Sequence, residues 1–159
     1  MEKDDLRVFM RESAKTEEIV TAPGPDTILG KDGKPVELKI RILSQETLNK
    51  INDAYKRRSV ATDKKGNPYI SGGEVAFKTE RDNNKASQHI IAEALVYPNL
   101  KDQELMAFFN CNDIAEMPLK VFPRPDEYMH VSRAVMAALG ILDEPDEETK
   151  KEAFDEAKN

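Results

Sequence analysis

The chain reads as an α+β protein that is mainly α-helical: a compact helical domain with one N-terminal β-hairpin and an acidic C-terminal tail. Three features lead there. Apolar residues recur at helical spacing in several stretches between Ser44 and Leu139, each opened by a capping residue or a proline. One stretch alternates instead, with Val36, Leu38, Ile40 and Ile42 separated by Glu37, Lys39 and Arg41, the period of a strand with one buried and one wet face. Finally, Asp143 to Asn159 carry eight acids against three lysines, and only Ala153, Phe154 and Ala157 offer an apolar face. These features place one domain over residues 1–142 and a helical or disordered tail over 143–159.

At 159 residues the chain suits one domain with a real core, and its 39% apolar and 34% charged residues make that core modest. A net charge of −6 argues against nucleic acid as a main partner, because phosphate binding needs a basic face. Cys111 stands alone, so no intramolecular disulfide can form, and with only His89 and His130 no zinc-like spacing exists. No metal or cofactor is expected. No apolar run approaches the roughly 20 residues that cross a bilayer. A soluble protein of the cytoplasm, with no membrane partner, is the expectation.

Taken in order, Asp4 to Arg11 set Leu6, Phe9 and Met10 at helical spacing, a short amphipathic helix that needs something to dock on. Thr16 to Asp26 contain Ala22-Pro23-Gly24-Pro25 and read as a linker. Thr27-Ile28-Leu29 and Val36 to Ile42 flank Asp32-Gly33, which signals a hairpin. Ser44 caps a helix with Leu48, Ile51 and Tyr55 facing inward, and Lys56-Arg57-Arg58 fall in its last turn, where cations suit the negative helix end. Asp63 to Lys78, with Gly66-Asn67-Pro68 and Gly72-Gly73, read as a loop with weak strands at Tyr69-Ile70 or Val75 to Phe77. Lacking P-loop spacing, the glycine pair signals flexibility rather than phosphate binding.

A helix from Thr79 to Val96 carries Ala86, Ile90, Ile91, Ala94 and Leu95 as its apolar stripe, with His89 and Glu93 beside it. The sequence then turns a corner at Tyr97, Pro98, Asn99 and Leu100, because proline cannot continue the helix. After the corner, Leu105, Met106, Phe108 and Phe109 crowd one short helix. Four large side chains on so few turns cannot all face one neighbour, so the helix is buried on more than one side or exposes a docking surface. Cys111 reads as a small core residue. Asp113 and Glu116 have capping-box spacing at another short helix near Pro118. Pro125, Asp126 and Glu127 open a helix bearing Tyr128, Val131, Val135, Met136 and Leu139, which Gly140 closes, with His130 at its surface.

The run from Ala94 to Leu105, Ala-Leu-Val-Tyr-Pro-Asn-Leu-Lys-Asp-Gln-Glu-Leu, resembles the signature of the XkdN-like tail assembly chaperones of long-tailed phages and phage-like elements. The order of the surrounding pieces is similar too, including the Lys-Asp-Gly-Lys-Pro turn at 31–35 and Pro-Asp-Glu-Tyr at 125–128. The resemblance spans roughly residues 1–142. It implies a small, non-enzymatic protein of the host cytoplasm, encoded between tail tube and tape measure genes and absent from the mature virion. Its implied partners are the tape measure protein, which it coats, then tail tube subunits and a frameshift-extended form of itself; a homo-oligomer is a further option that the sequence leaves open. Slippery codons for the latter fit Thr149-Lys150-Lys151 or Ala157-Lys158-Asn159.

No catalytic residue is assigned. Coating an apolar helical polymer calls for exposed apolar helix faces, and Phe108, Phe109, Tyr128 and Met129 are the candidates; the competing role for each is core packing. Tyr97, Pro98, Asn99 and Leu100 are assigned to structure. Two other functions compete: a structural tail component, such as a tube terminator or connector retained in the virion, and a small enzyme or metal protein built on His89 and Glu93.

Overall fold

A computed structural model describes residues 5–11 and 18–141. The tail assigned to 143–159 therefore lies outside the described residues. The fold is not mainly helical: among the described residues 41% are helix and 24% strand, with five α-helices and three small sheets. Strand content exceeds what the sequence pattern predicts because most strands here are short, exposed or formed by distant segments, and none of these conditions leaves a two-residue apolar period in the sequence.

The central sheet has the order β1 (Ile19–Pro23), β2 (Glu37–Arg41), β7 (Leu95–Tyr97). β1 pairs antiparallel with β2, from Ile19 opposite Arg41 to Pro23 opposite Glu37. The linker expected over 16–26 is thus partly an edge strand. Proline is tolerated at its end because an edge strand has one unpaired side. The hairpin partner differs accordingly: residues 27–29 contribute only an isolated bridge, Leu29 to Pro35, closed by the Gly30 N–H to Lys34 carbonyl bond of 2.8 Å. Gly24 lies so close to β2 that a Cβ there would stand 2.4 Å from the Val36 carbonyl oxygen.

Ser44 caps α1 (Gln45–Ala54), its hydroxyl accepting from the Thr47 N–H at 3.1 Å. Leu48 and Ile51 are buried and Tyr55 is half-buried, as their spacing demands. Lys56-Arg57-Arg58 do not end this helix. They begin β3 (Lys56–Val60), which pairs antiparallel with β6 (Phe77–Arg81). Between them β4 (Ile70–Ser71) and β5 (Glu74–Val75) form a tip turning at Gly72 and Gly73, whose φ angles of 62° and 83° suit glycine. Residues 56–81 are therefore a β-arm rather than a helix end followed by a loop.

Because Thr79 to Arg81 belong to β6, the next helix starts late: α2 spans Asn83–Ala94, with the Asp82 carboxylate accepting from the Lys85 N–H. It also stops early. Leu95–Tyr97 is β7, captured by the free edge of β2, so the corner is a strand followed by a cis Tyr97-Pro98 bond, not the end of a helix. Beyond it come α3 (Gln103–Phe108), a 3-10 turn at Ile114–Glu116, α4 (Met117–Val121) and α5 (Pro125–Ala138).

The core joins Leu38 and Ile40 of β2 to Leu48, Ile51, Ile90, Ile91, Leu95, Leu100, Cys111, Met117, Phe122, Val131 and Val135. Cys111 is 5% exposed, a core residue as its position implied. None of the core residues comes from 56–81. The N-terminal segment differs from expectation as well. Leu6–Phe9 is one 3-10 turn, and Leu6, Phe9 and Met10 are all exposed.

Candidate functional site

The region around α3 is built by its ends. Asp102 caps the start, its carboxylate accepting from the Leu105 N–H at 3.0 Å. At the other end Asn110 has φ 49°, the left-handed conformation that asparagine tolerates better than most residues. The Asn110 N–H then reaches the Ala107 carbonyl at 3.1 Å and the Cys111 N–H the Met106 carbonyl at 3.0 Å, the paired bonds of a Schellman ending. This reversal carries Cys111 into the core. Leu105, Met106 and Phe109 pack against the core from outside, whereas Phe108, 79% exposed, is left in solvent. It touches Phe109 edge to face, the ring centroids 4.9 Å apart.

The four candidate side chains thus divide. Phe108 and Met129 are exposed, while Phe109 and Tyr128 are half-buried against the core, and burial raises the Tyr128 phenol above its ordinary value. Leu119 on α4 is exposed too. Of the corner residues, Leu100 is fully buried, Pro98 is half-buried, and Tyr97 and Asn99 are exposed. The Asn99 side chain accepts from the Lys101 N–H at 3.1 Å, which shapes the turn.

His89 and Glu93 do meet, but within a closed chain of contacts. The Tyr55 hydroxyl lies 2.6 Å from His89 Nδ1, His89 Nε2 lies 3.5 Å from Glu93 Oε1, and Glu93 Oε2 accepts from Lys101 Nζ at 2.9 Å. Both ring nitrogens of His89 and both carboxylate oxygens of Glu93 therefore have a partner within the fold. The chain ties the end of α1 to α2 and to the residues after the corner. Burial opposes the charge of Glu93, yet the Lys101 hydrogen bond and charge, with help from His89, hold its carboxyl below the usual range. Burial, followed by the charge of Asp113, raises Tyr55.

A cleft of about 560 Å³ lies nearby, lined by Asp82, Asn84, Lys85, Gln88, Glu116, Leu119 and Lys120. Its charges are mixed, and Lys85 is paired with Asp113 at 3.2 Å. Among the described residues, no group of three or more His, Cys, Asp or Glu side chains could hold a metal ion, and no helix is long and apolar enough to cross a membrane.

Two long-range contacts have no local signal. The Thr27 hydroxyl donates to Glu127 Oε1 at 2.7 Å, and His130 Nε2 lies 2.8 Å from the Pro23 carbonyl oxygen. Together they strap residues 23–27 across α5. Glu127 is 7% exposed, and its partner stands a hundred positions away in sequence.

The model of the phage XkdN-like tail assembly chaperone proteins matches residues 6–158. The chain belongs to that family. For this chaperone the match runs past residue 142 into the acidic segment, further than the motifs alone reach. Its fold is also similar to the crystal structure of the protein yqbn, with a TM-score of 0.59 at 18% identity over 79% of this chain and 87% of that one. Comparison with curated proteins gives no match. The family is generally non-enzymatic.

Proposed function

We propose that this tail assembly chaperone binds the tape measure protein in the host cytoplasm during tail morphogenesis, acting by contact and not by catalysis. Tail tube subunits are the second partner class. The observation that supports this reading is the exposure of Phe108 on α3. The Schellman turn that buries Cys111 leaves a phenylalanine in water, and Met129 and Leu119 are exposed on α5 and α4. A protein that shields long apolar helices needs such side chains, since they bury apolar area only when the partner arrives.

Phe108 and Met129 are the contact residues in this proposal. Phe109 and Tyr128 support them from the core side. The test is co-expression with the tape measure protein encoded beside it, followed by pull-down. The wild-type chain is expected to keep that protein soluble and to co-purify with it, and Phe108→Asp is expected to lose both while keeping its melting temperature. Failure of the wild-type chain to bind or solubilise would overturn the reading. Recovery of the chain in purified virions would instead support a structural tail component.

A further inference from the structure

The β-arm concentrates charge of the opposite sign to the rest of the chain. Residues 56–81 hold seven cations against three acids, within a protein of net charge −6. The register sorts them by face, since directly opposed residues in an antiparallel pair project to the same side. Lys56 opposes Arg81, Arg58 opposes Thr79, and Val60 opposes Phe77. One face therefore presents three cations, two apolar side chains and no carboxylate. Arg58 stacks over Phe77, its guanidinium carbon 4.2 Å from the ring centroid. The other face pairs Arg57 with Glu80 and Ser59 with Lys78, and Lys78 reaches Glu80 at 2.7 Å.

Placing Lys56 opposite Arg81 sets like charges side by side, which costs stability unless an anion lies between or beside them. Each is turned aside locally, Lys56 to Asp53 at 2.7 Å and Arg81 to Asn83 at 2.6 Å. Val60 and Phe77 remain 38% and 51% exposed between them.

We propose that this cationic and apolar face is the docking surface for the acidic segment 143–159 of the same chain. That segment has the complementary composition. Its eight acids include Glu152, Asp155 and Glu156 around Phe154, its only aromatic residue. Phe154 covers Val60 and Phe77, and the flanking carboxylates meet Lys56, Arg58 and Arg81. The segment follows α5 closely, and Phe154 stands 13 residues beyond Ile141, a reach of up to about 45 Å when extended, comparable to the width of so small a domain. Tethering gives an effective concentration on the order of millimolar, which favours this occupant over a second copy. A second arm is disfavoured because its cationic face would repel the first.

The test uses the full chain and amide chemical shifts. Glu152→Lys, Asp155→Lys and Glu156→Lys combined are expected to move the signals of Arg58, Phe77 and Thr79 while leaving those of α5 in place. Phe154→Ala is expected to do the same with charge unchanged. Adding Arg58→Glu and Arg81→Glu to the triple variant restores the contact with the charges exchanged. Raising salt from 50 to 300 mM weakens it, moving the arm signals toward those of the triple variant. Arm signals that ignore every tail variant overturn the proposal. Shifts that vanish on dilution, with a dimer in sedimentation, assign the contact to a second copy and overturn the docking within one chain. Shifts induced by a DNA duplex but by no tail variant assign the face to nucleic acid instead.

Discussion

Among the described residues two five-residue antiparallel pairs, β1 with β2 and β3 with β6, match in length and in unbroken register yet differ in what they do for the fold. In β2 the side chains alternate between solvent and a completely buried face, Leu38 and Ile40 being 0% exposed. In β6 all five residues are exposed, and in β3 only Ser59 is partly covered. Backbone hydrogen bonding is thus the same in kind, while hydrophobic burial separates the two. One pair is held by a core that its residues help to build. The other is held by its own ladder, by the Val60 and Phe77 pair and by the Arg58 stack on Phe77, contacts worth about 0.2–1 kcal/mol each.

The sharpest contrast is between two isoleucines. Ile40→Ala removes a completely buried side chain from the centre of the core and is expected to cost about 2–5 kcal/mol by urea denaturation. A loss of less than about 1 kcal/mol would mean that the central sheet is no better anchored than the arm. Next in size is Thr27→Val, which keeps the shape of the side chain but takes away the hydroxyl that donates to the buried Glu127 carboxylate. Its expected cost is about 1–3 kcal/mol, the price of an unsatisfied buried acceptor. Since Thr27 lies just past β1, this variant asks whether the first pair depends on α5 as well as on β2.

A smaller effect follows from the polar chain across α1 and α2. The Glu93 carboxyl titrates below its ordinary value of 4.5, so the folded state binds fewer protons than the unfolded one near that pH. Its contribution is present above 4.5 and is lost as pH falls through the folded value. Lys101→Met removes the main stabilising partner and is expected to cost roughly 0.2–1 kcal/mol at neutral pH, with wild type and variant converging in acid. Equal gaps at pH 7 and at pH 3 by thermal denaturation would show that Lys101 acts by packing. On the arm the Glu80 carboxyl is lowered as well, first by the Lys78 hydrogen bond and then by its charge, on an exposed surface.

The contrast between the pairs also explains how much could be read in advance. The alternation in β2, the Ser44 cap with Leu48 and Ile51, the stripe Ala86, Ile90 and Ile91, and the Gly140 ending with φ 74° are local signals, and each marks a feature present in the fold. β3 had no such signal: Lys-Arg-Arg-Ser-Val buries nothing, so the triplet looked like the cationic end of α1. β1 was masked by its own Pro23, and β7 by an apolar run that continues a helical pattern until the β2 edge claims it. At the candidate site the excess of large apolar side chains after the corner was visible. Which one faces water was not, because that depends on the left-handed turn at Asn110.

The smallest expected effect closes the pair of isoleucines. Ile70 sits in β4 at the arm tip, 64% exposed and opposite Val75. Ile70→Ala leaves no cavity, because most of its surface already faces solvent, and the global stability is expected to change by no more than about 0.5 kcal/mol. Amide exchange supplies the second half of the measurement. Amides of 70–75 should exchange through local opening far ahead of those in β2, which open only with the core, and Ile70→Ala should speed the first set without touching the second. A shared exchange rate for both sets, or a cost at Ile70 near that at Ile40, would mean that arm and core unfold as one unit, and the arm would then have to be counted as part of the packed body.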